Sequence, residues 1–472
     1  MKSIAHRMEH VSRTRSQQRR RFQFPTYPRT QRTPIPSFPR TILYVDHTAS
    51  LSGGEIALLH LLHALDPTRY TPVVVLGQDG PLLTRLRAEG IETHLLPLAP
   101  QVAHTRKDTL HPTSLLRLGA AAHSLAYIFR LARFIQERDV DLVHTNSLKA
   151  DLLGGVAARL VRVPVIWHVR DRIVADYLPP AAVRAFRFLC RLLPNYIIAN
   201  SQATLTTLAT PPSARATVIH SGVVKKPLRV VHDGIPDGAC SGEESGWSAE
   251  EAEASLEEEL FVPSEPGSGP AVIGLVGRLS PWKGQHIFLE AAALVAQSYP
   301  GTRFVLIGSA LFGEEGYVAG LHAQVARLGL AEVVEFTGFC SDVLSRMQSL
   351  DIVAHASTTG EPFGQVVVEG MLAGKAVVAT NGGGVPEIVV EGVTGLLVPM
   401  GDAQALAGGL CALLSDPVRR QQMGREGRKR ALEHFSIELT ARKVEQVYEQ
   451  FWADSERGDP QSRTAFRETS PQ

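Results

Sequence analysis

Val272-Ile273-Gly274-Leu275-Val276-Gly277-Arg278-Leu279-Ser280-Pro281-Trp282-Lys283-Gly284 opens on an apolar run and closes on two cations. An unbroken apolar run ahead of a glycine reads as a strand buried on both faces, as in a parallel sheet. Arg278 and Lys283 then stand at the strand's C-terminal end, around Ser280-Pro281-Trp282, with Gly284 freeing the backbone. Arginine offers a bidentate fork and lysine a point charge, a pair suited to a diphosphate. The same two residues also suit plain surface cations.

Strands and helices alternate on both sides of this stretch. Downstream come helix Gln285–Gln297, strand Phe304–Ile307, helix Tyr317–Leu328, strand Val333–Phe336 and a short helix near Asp342–Gln348. Strand Ile352–His355, helix Pro362–Ala373, strand Ala376–Ala379 and helices Ala403–Leu414, Pro417–Phe435 and Ile437–Phe451 follow. Upstream, strands are expected at Thr41–Val45, Pro72–Leu76, Thr93–Leu96, Val140–His144, Val163–His168 and Tyr196–Ala199. Between them the pattern predicts helices at Ile56–Leu65, Pro81–Glu89, Ser114–Glu137, Ala150–Leu160 and Pro180–Leu193. This alternation implies βαβ units. The expected fold is α/β, with two Rossmann-like doubly wound domains facing each other across a cleft. Ligands in such sheets bind beyond the carboxyl ends of the strands.

Composition sets the boundaries. A chain of 472 residues is too long for one ordinary core. Its net charge of +1 conceals a basic stretch at 1–40 and a stretch between Arg229 and Arg278 with acids but no Lys or Arg. The expected organisation is a basic disordered tail at 1–40, an N-terminal domain at 41–225 and an acidic flexible linker at 226–270. A C-terminal domain at 271–436, a crossing helix at 437–455 and a disordered tail at 456–472 complete it. A short acidic helix near Ala249–Glu259 fits within the linker. The basic tail lacks the apolar core of a secretory signal and reads as an unstructured extension or an early start, with a transit peptide or membrane tether as the alternative.

Cys190, Cys240, Cys340 and Cys411 are scattered without metal-ligand spacing, which disfavours a zinc site or a disulfide framework. No stretch offers the 18 or so apolar residues of a spanning helix. A cytoplasmic protein that binds neither metal nor nucleic acid is expected. Neither G-x-G-x-x-G nor G-x-x-x-x-G-K-[ST] occurs, so nicotinamide-cofactor and P-loop chemistry are disfavoured.

Glu361-Pro362-Phe363-Gly364-Gln365-Val366-Val367-Val368-Glu369 supplies the carboxylates. Pro362 suits the first turn of a helix, whose free N–H groups, with those of Phe363 and Gly364, make an anion site. Glu361 lies at its mouth, where it suits sugar hydroxyls or an exposed cap. Glu369 sits two turns on in an apolar run and needs a hydroxyl or cation partner, which a ribose diol would satisfy. Gly53-Gly54, between a strand and a helix, form a tight turn. His168 ends a buried strand and is followed by Arg170-Asp171-Arg172; it is either structural or turned to the cleft, with Asp171 orienting it or meeting an acceptor. His144, before Thr145-Asn146-Ser147, is a weaker candidate of the same kind. Asn381-Gly382-Gly383-Gly384, before Pro386-Glu387, is a loop where backbone approaches ligand or simply turns.

Together, Gly277-Arg278, Lys283-Gly284, the Glu361–Glu369 segment, Gly392-Val393-Thr394-Gly395-Leu396-Leu397-Val398-Pro399 and Asn200-Ser201 resemble the GT-B retaining glycosyltransferases of family four, over about Thr41–Phe451. The resemblance implies transfer of a sugar from an NDP-sugar to a hydroxyl acceptor (a glycan, lipid-linked saccharide or small metabolite) with retention. It implies catalytic roles for Glu361, His168, Arg278 and Lys283. Gly53, Gly54, Arg278, Lys283, Glu361, Phe363, Gly364 and Glu369 would bind donor; His168 and Asp171 would face acceptor. No metal or other cofactor is implied, and the leaving phosphate would help deprotonate the acceptor on the same face. The last helix would brace the N-terminal domain. The alternative is another GT-B protein, such as a sugar-nucleotide epimerase, or an inactive nucleotide-sugar binder.

Two segments, Val218–Val223 and Val231–Ile235, compete for the inter-domain hinge. Gly308-Ser309-Ala310 departs from the family's usual Gly-acid-Gly. Arg184, Arg187 and Arg191, beside Phe186, Phe188 and Leu189, form either an amphipathic helix packed on the sheet or a face that meets an anionic membrane.

Overall fold

The computed structural model describes residues 39–103, 118–210, 215–224, 269–310, 313–340 and 342–456. The expected terminal tails and acidic linker lie almost wholly outside them, as do Cys240, the helix near Ala249–Glu259 and Val231–Ile235. The described residues form two α/β halves.

The first half runs β1 (Arg40–Asp46), α1 (Gly53–Ala64), β2 (Tyr70–Leu76), α2 (Pro81–Ala88), β3 (Glu92–Leu95), α3 (Pro100–Ala103), α4 (Leu118–Glu137) and β4 (Leu142–Thr145). It continues with α5 (Leu148–Leu160), β5 (Val165–Val169), α6 (Pro180–Leu189), β6 (Tyr196–Ala199), α7 (Gln202–Thr207) and β7 (Ala216–Val218). The second half begins with β8 (Val272–Val276), α8 (Gln285–Ser298), β9 (Arg303–Ile307), α9 (Glu315–Arg327), β10 (Val334–Gly338), α10 (Val343–Gln348) and β11 (Ile352–His355). It ends with α11 (Gln365–Leu372), β12 (Ala376–Thr380), α12 (Val385–Ile388), β13 (Leu396–Val398), α13 (Ala403–Leu414), α14 (Pro417–His434) and α15 (Ile437–Glu456).

Both sheets are parallel, with orders β3-β2-β1-β4-β5-β6-β7 and β10-β9-β8-β11-β12-β13. Strand order reverses between β1 and β4, and again between β8 and β11. Each reversal opens a crevice at the strands' carboxyl ends. The apolar strands are buried, and each sheet has helix-packed cores on its faces. Several helices start where a side chain occupies an otherwise unpaired N–H: Asp342 accepts from Ser345 N, Asp402 from Ala405 N, Asp416 from Arg419 N and Ser201 from Thr204 N.

α15 returns to the first half. Its Ile437, Ala441, Val444, Val447 and Tyr448 share a core with Ile42, Tyr44, Leu58 and Leu61. The turn into it lies against Val223, whose N–H donates to the Phe435 carbonyl at 2.9 Å and whose carbonyl accepts from Ile437 N at 3.1 Å. Of the two hinge candidates, Val218–Val223 lies against the turn into α15, and Val231–Ile235 lies outside the described residues.

Two expected helices are shorter. Proline was expected inside the helix that follows Glu361; α11 instead starts at Gln365, with Gly364 at φ +114° as its N-cap. Tertiary bonds to the Glu361 and Pro362 carbonyls hold that segment in a bend. α6 ends at Leu189 rather than Leu193, and Arg159 bonds the Leu193 carbonyl at 2.6 Å. Beside it, Arg187 donates to the carbonyls of Thr207 and Ile173, and Arg191 to that of Ala209. Arg187 thus ties α6 to neighbouring backbone, and Arg191 does the same for the turn that follows it.

Candidate active site

The second crevice is built from the loops after β8 and β11. After β8 the chain passes Gly277 and Arg278 into a single 3₁₀ turn, Pro281–Lys283, ended by Gly284 at φ +72°. A Cβ at position 284 would stand 1.9 Å from the Ala356 carbonyl oxygen, so only glycine lets the two loops touch. That contact brings Lys283 Nζ to 2.6 Å from Glu361 Oε1. Gly383, at φ +63°, plays the same part on the other side: its Cβ would meet the Glu361 carbonyl at 1.8 Å.

Glu361 is 4% exposed, and one of its oxygens collects three donors. Besides Lys283, Ser357 Oγ donates across 2.6 Å and His355 Nε2 lies at 3.2 Å. The backbone N–H of Thr380 donates to His355 Nδ1 at 3.4 Å, and Thr380 Oγ1 is 3.1 Å away. Nδ1 is therefore the acceptor nitrogen, and the ring's proton on Nε2 points to Glu361. Burial alone would push this carboxyl up. The Lys283 charge and the hydrogen bonds from His355 and Lys283 outweigh it and hold Glu361 well below the usual carboxylate range. The site contains a charged, pre-oriented carboxylate.

The other residues fall around it. Arg278 lies beside Trp282, its carbonyl held by Gln285 Nε2 at 2.9 Å. Glu369 accepts from Gln365 Nε2 at 3.2 Å, one turn along α11. Burial raises its pKa, against the effect of Gln365 and of the Lys283 charge. Phe363 packs its ring against His220 and Phe435 in the core, so only its backbone faces the loop. Gly53 approaches from the first half: a Cβ there would lie 4.0 Å from Gln365 Oε1. A Cβ at Gly54 would lie 3.5 Å from Arg170 Cδ.

Beneath that glycine turn lies a polar network at the ends of β1, β4 and β5. Asp46, fully buried, accepts from Asn146 Nδ2 at 2.8 Å and Ser147 Oγ at 2.9 Å. Because Ser147 donates to Asp46, its oxygen accepts from His47 Nδ1 at 2.7 Å. Asn146 Oδ1 takes Arg170 Nε at 2.8 Å, and Arg170 Nη1 donates to Ser221 Oγ at 2.9 Å. Burial lowers the Arg170 pKa to about 10 despite the acids Glu55, Asp46 and Asp151.

His168 is the penultimate residue of β5 and is 1% exposed. Its Nδ1 faces His144 Nε2 at 3.1 Å and Arg170 Nη2 at 3.4 Å. A guanidinium only donates, so Nδ1 accepts and the proton sits on Nε2. Burial, then Arg170 and His144, keep the ring neutral. Among the described residues Nε2 has no partner. His168 thus presents Nε2 as an N–H donor. Asp171 does not orient it: that carboxylate takes the Tyr177 hydroxyl, while His144 and Arg170 set the ring. Among the described residues no three or more His, Cys, Asp or Glu cluster to hold a metal.

Sequence reasoning missed His355, Ser357 and Thr380 around Glu361, and Asp46, Asn146, Ser147 and Arg170 beneath the glycines. One signal was available: each of His355, Asp46 and Thr380 is a polar residue closing an apolar run at the carboxyl end of a strand.

Comparison with known proteins settles the family. The description "Glycosyltransferase Family 4" matches residues 51–225, and "Glycosyl transferases group 1" matches 257–430. The 2-deoxystreptamine glucosyltransferase of Streptomyces kanamyceticus is 30% identical over 308 residues, covering 64% of this chain and 75% of that protein. The chain belongs to the GT-B glycosyltransferases of family four. The crystal structure of Anabaena Alr3699/HepE in complex with UDP and glucose superposes with TM-score 0.68 at 27% identity, covering 86% of this chain and 99% of that one. The D-inositol 3-phosphate glycosyltransferase of Corynebacterium urealyticum is 36% identical over 181 residues, 38% of this chain and 42% of that protein. Over the first curated relatives the chain spans less than half of their length, 42% to 49%. In GT-B terms, the β8/β11 crevice with Glu361 belongs to the C-terminal domain, and the network around His168 to the N-terminal one. No described helix is long and apolar enough to cross a membrane.

Proposed function

We propose that this GT-B protein transfers a hexose from a nucleoside-diphosphate sugar to a hydroxyl of a glycan, lipid-linked saccharide or small metabolite, with retention and without a metal. The observation that carries this is the Glu361 carboxylate, kept charged by Lys283, Ser357 and His355 at the mouth of the second crevice. An ionised acceptor group paired with Lys283, on the loop that also carries Arg278, suits a polyhydroxylated sugar joined to a diphosphate.

In this scheme Arg278 and Lys283 hold the diphosphate and Glu361 takes hydroxyls of the transferred sugar. Glu369 takes the ribose, and the turn at Gly53-Gly54 closes over the phosphates. The bond between the anomeric carbon and the β-phosphate oxygen breaks, and negative charge grows on the leaving diphosphate, where the two cations act most strongly. The acceptor oxygen bonds to the same face of that carbon, and its proton passes to the leaving phosphate. His168 Nε2–H donates to an oxygen of sugar or acceptor. The similarity to a protein crystallised with UDP and glucose makes UDP the first nucleotide to try. Peripheral contact with an anionic membrane belongs to the same proposal, through Arg184, Phe188 and Leu192, which are exposed; liposome flotation with and without anionic lipid tests it.

Calorimetry and thermal shift with UDP-, GDP- and ADP-sugars, in EDTA and then in Mg²⁺, test the donor site. One sugar nucleotide raising the melting temperature in EDTA, with the rise lost in Lys283→Ala, is expected. No response to any of them from folded protein overturns the proposal.

A further inference from the structure

The loop that carries Glu361 is held by the other half of the molecule. Arg172, just after β5, donates from Nη1 to the Gly360 carbonyl at 3.0 Å. Ser201 Oγ and Thr204 Oγ1, at the start of α7, both donate to the Pro362 carbonyl, the latter at 3.1 Å. The carbonyls on either side of Glu361 are therefore bonded from the first half. The Glu361 carbonyl itself accepts from Gly384 N at 2.9 Å, within its own half.

A third contact reinforces the first two. Glu387, on α12, accepts the N–H groups of Gln202 and Ala203, each at 2.8 Å, and lies 3.0 Å from His220 Nε2. Burial opposes its charge, but His220 and the two amides hold its pKa below the usual value. α7 thus meets the C-terminal half through both ends of one small patch: its hydroxyls on Pro362, its amides on Glu387.

The Arg172 bond lies on the Gly360–Glu361 peptide plane, which bounds Glu361 directly; the Ser201 and Thr204 bonds lie on the Pro362–Phe363 plane, one further along and joined to Glu361 through a proline whose ring fixes φ. Turning the first plane, or displacing Pro362 with the second, swings the Cα–Cβ vector of Glu361 and with it the carboxylate. We propose that Arg172, together with Ser201 and Thr204, is a set of positioning residues that couples apposition of the two halves to the placement of the Glu361 carboxylate. Closed halves keep Glu361 on Lys283, Ser357 and His355; separated halves release both flanking carbonyls and let the loop relax. Arg172, Ser201 and Thr204 bond the loop after β11 that carries Glu361, whereas Arg278 and Lys283 belong to the β8 loop, so the coupling acts on the sugar end of the donor. This rests on the reading of Glu361 as a ligand of the transferred sugar.

The test uses the full chain and three variants: Arg172→Ala, Arg172→Lys and the double variant Ser201→Ala/Thr204→Val. Hydrogen exchange reads the loop without any substrate. Exchange at Gly384 N, bonded to the Glu361 carbonyl, is expected to speed up about tenfold or more in Arg172→Ala and in the double variant, with global unfolding unchanged. Calorimetry with UDP and UDP-glucose reads the sugar end. UDP affinity should stay within about twofold of wild type while UDP-glucose affinity falls at least tenfold, and Arg172→Lys should recover part of it. Parallel loss of both affinities, or wild-type exchange and wild-type UDP-glucose binding in the variants, overturns the positioning role. Failure of wild type to bind UDP or any sugar nucleotide overturns the donor-site reading instead; slowed or unchanged Gly384 exchange then still decides against the coupling, and faster exchange supports it.

Discussion

Tyr448, on the last helix, donates its hydroxyl proton to His144 Nδ1, 2.6 Å away and 304 residues earlier in the chain. Tyr44 Oη lies 2.8 Å from Tyr448 Oη and hands its own proton on to that oxygen. The direction of this chain leaves His144 with its proton on Nε2, turned to His168 Nδ1, and so leaves His168 with a free N–H. Arg170 on one side and a helix that closes the fold on the other therefore favour the same tautomer of the histidine in β5. Tyr448→Phe would strand His144 Nδ1 in a fully buried position, at a cost of about 1–3 kcal/mol. Urea unfolding of the variant should show that loss, and turnover should fall as well once His144 is free to change tautomer.

Lys283 and Glu361 form a buried ion pair, and the two ends of it fail differently. Lys283→Ala leaves Glu361 with Ser357 and His355, so the fold should persist while turnover drops about 10²–10³-fold through loss of charge at the leaving group. Glu361→Ala leaves a lysine that is only 16% exposed without its partner, costing about 3 kcal/mol in addition to activity. Steady-state kinetics alongside thermal unfolding separates the two; unchanged turnover in both variants removes the proposed site.

His355 contributes one N–H to Glu361 and takes one from Thr380. His355→Leu removes the donor and strands the Thr380 amide. His355→Gln keeps an amide donor within reach. The expected order of turnover is wild type above His355→Gln above His355→Leu, with the leucine variant down about tenfold or more for a lost charge-assisted hydrogen bond.

Glu55 gives a pH signature. Burial, then the neighbouring Asp46, raise its pKa from 4.5 to about 7, against a hydrogen bond from Ser52. The folded state thus holds its proton more tightly than the unfolded chain. Stability associated with Glu55 is complete below about pH 4.5 and is lost as pH rises through 7. Glu55→Gln should flatten that fall, so the variant's advantage grows between pH 5 and 7.5 in urea melts. A wild-type profile already flat over that range contradicts the raised pKa.

Much of the fold was legible before any coordinates. Runs such as Val272–Val276 and Ile352–Ala354 have no polar residue because a parallel strand is covered on both faces, and that burial shows in composition alone. The helix after Glu361 was misjudged at its start for a specific reason. Pro362 has the local preference of a first-turn residue, but its carbonyl is taken by Ser201 and Thr204, more than 150 positions upstream. Of the two roles open to Asp171, orienting His168 is not the one its bond to Tyr177 serves: next to Arg170 and near His168 in sequence, its carboxylate takes the Tyr177 hydroxyl in space.

Residue types and their short-range spacing were enough to establish two parallel α/β halves, cations at the end of β8 and carboxylates about one strand-helix unit after β11 begins. Those features depend on neighbours within a turn or a strand, and apolar periodicity records them. Pairing Lys283 with Glu361 across 78 positions needed the register of β8 against β11, Ile273 beside Ile352, and the glycine contact at Ala356. Seating of Gly360 and Pro362 by Arg172, Ser201 and Thr204 needed two sheets brought face to face. Such bonds are set by how separate layers pack, and no local pattern in the chain encodes the distance between them.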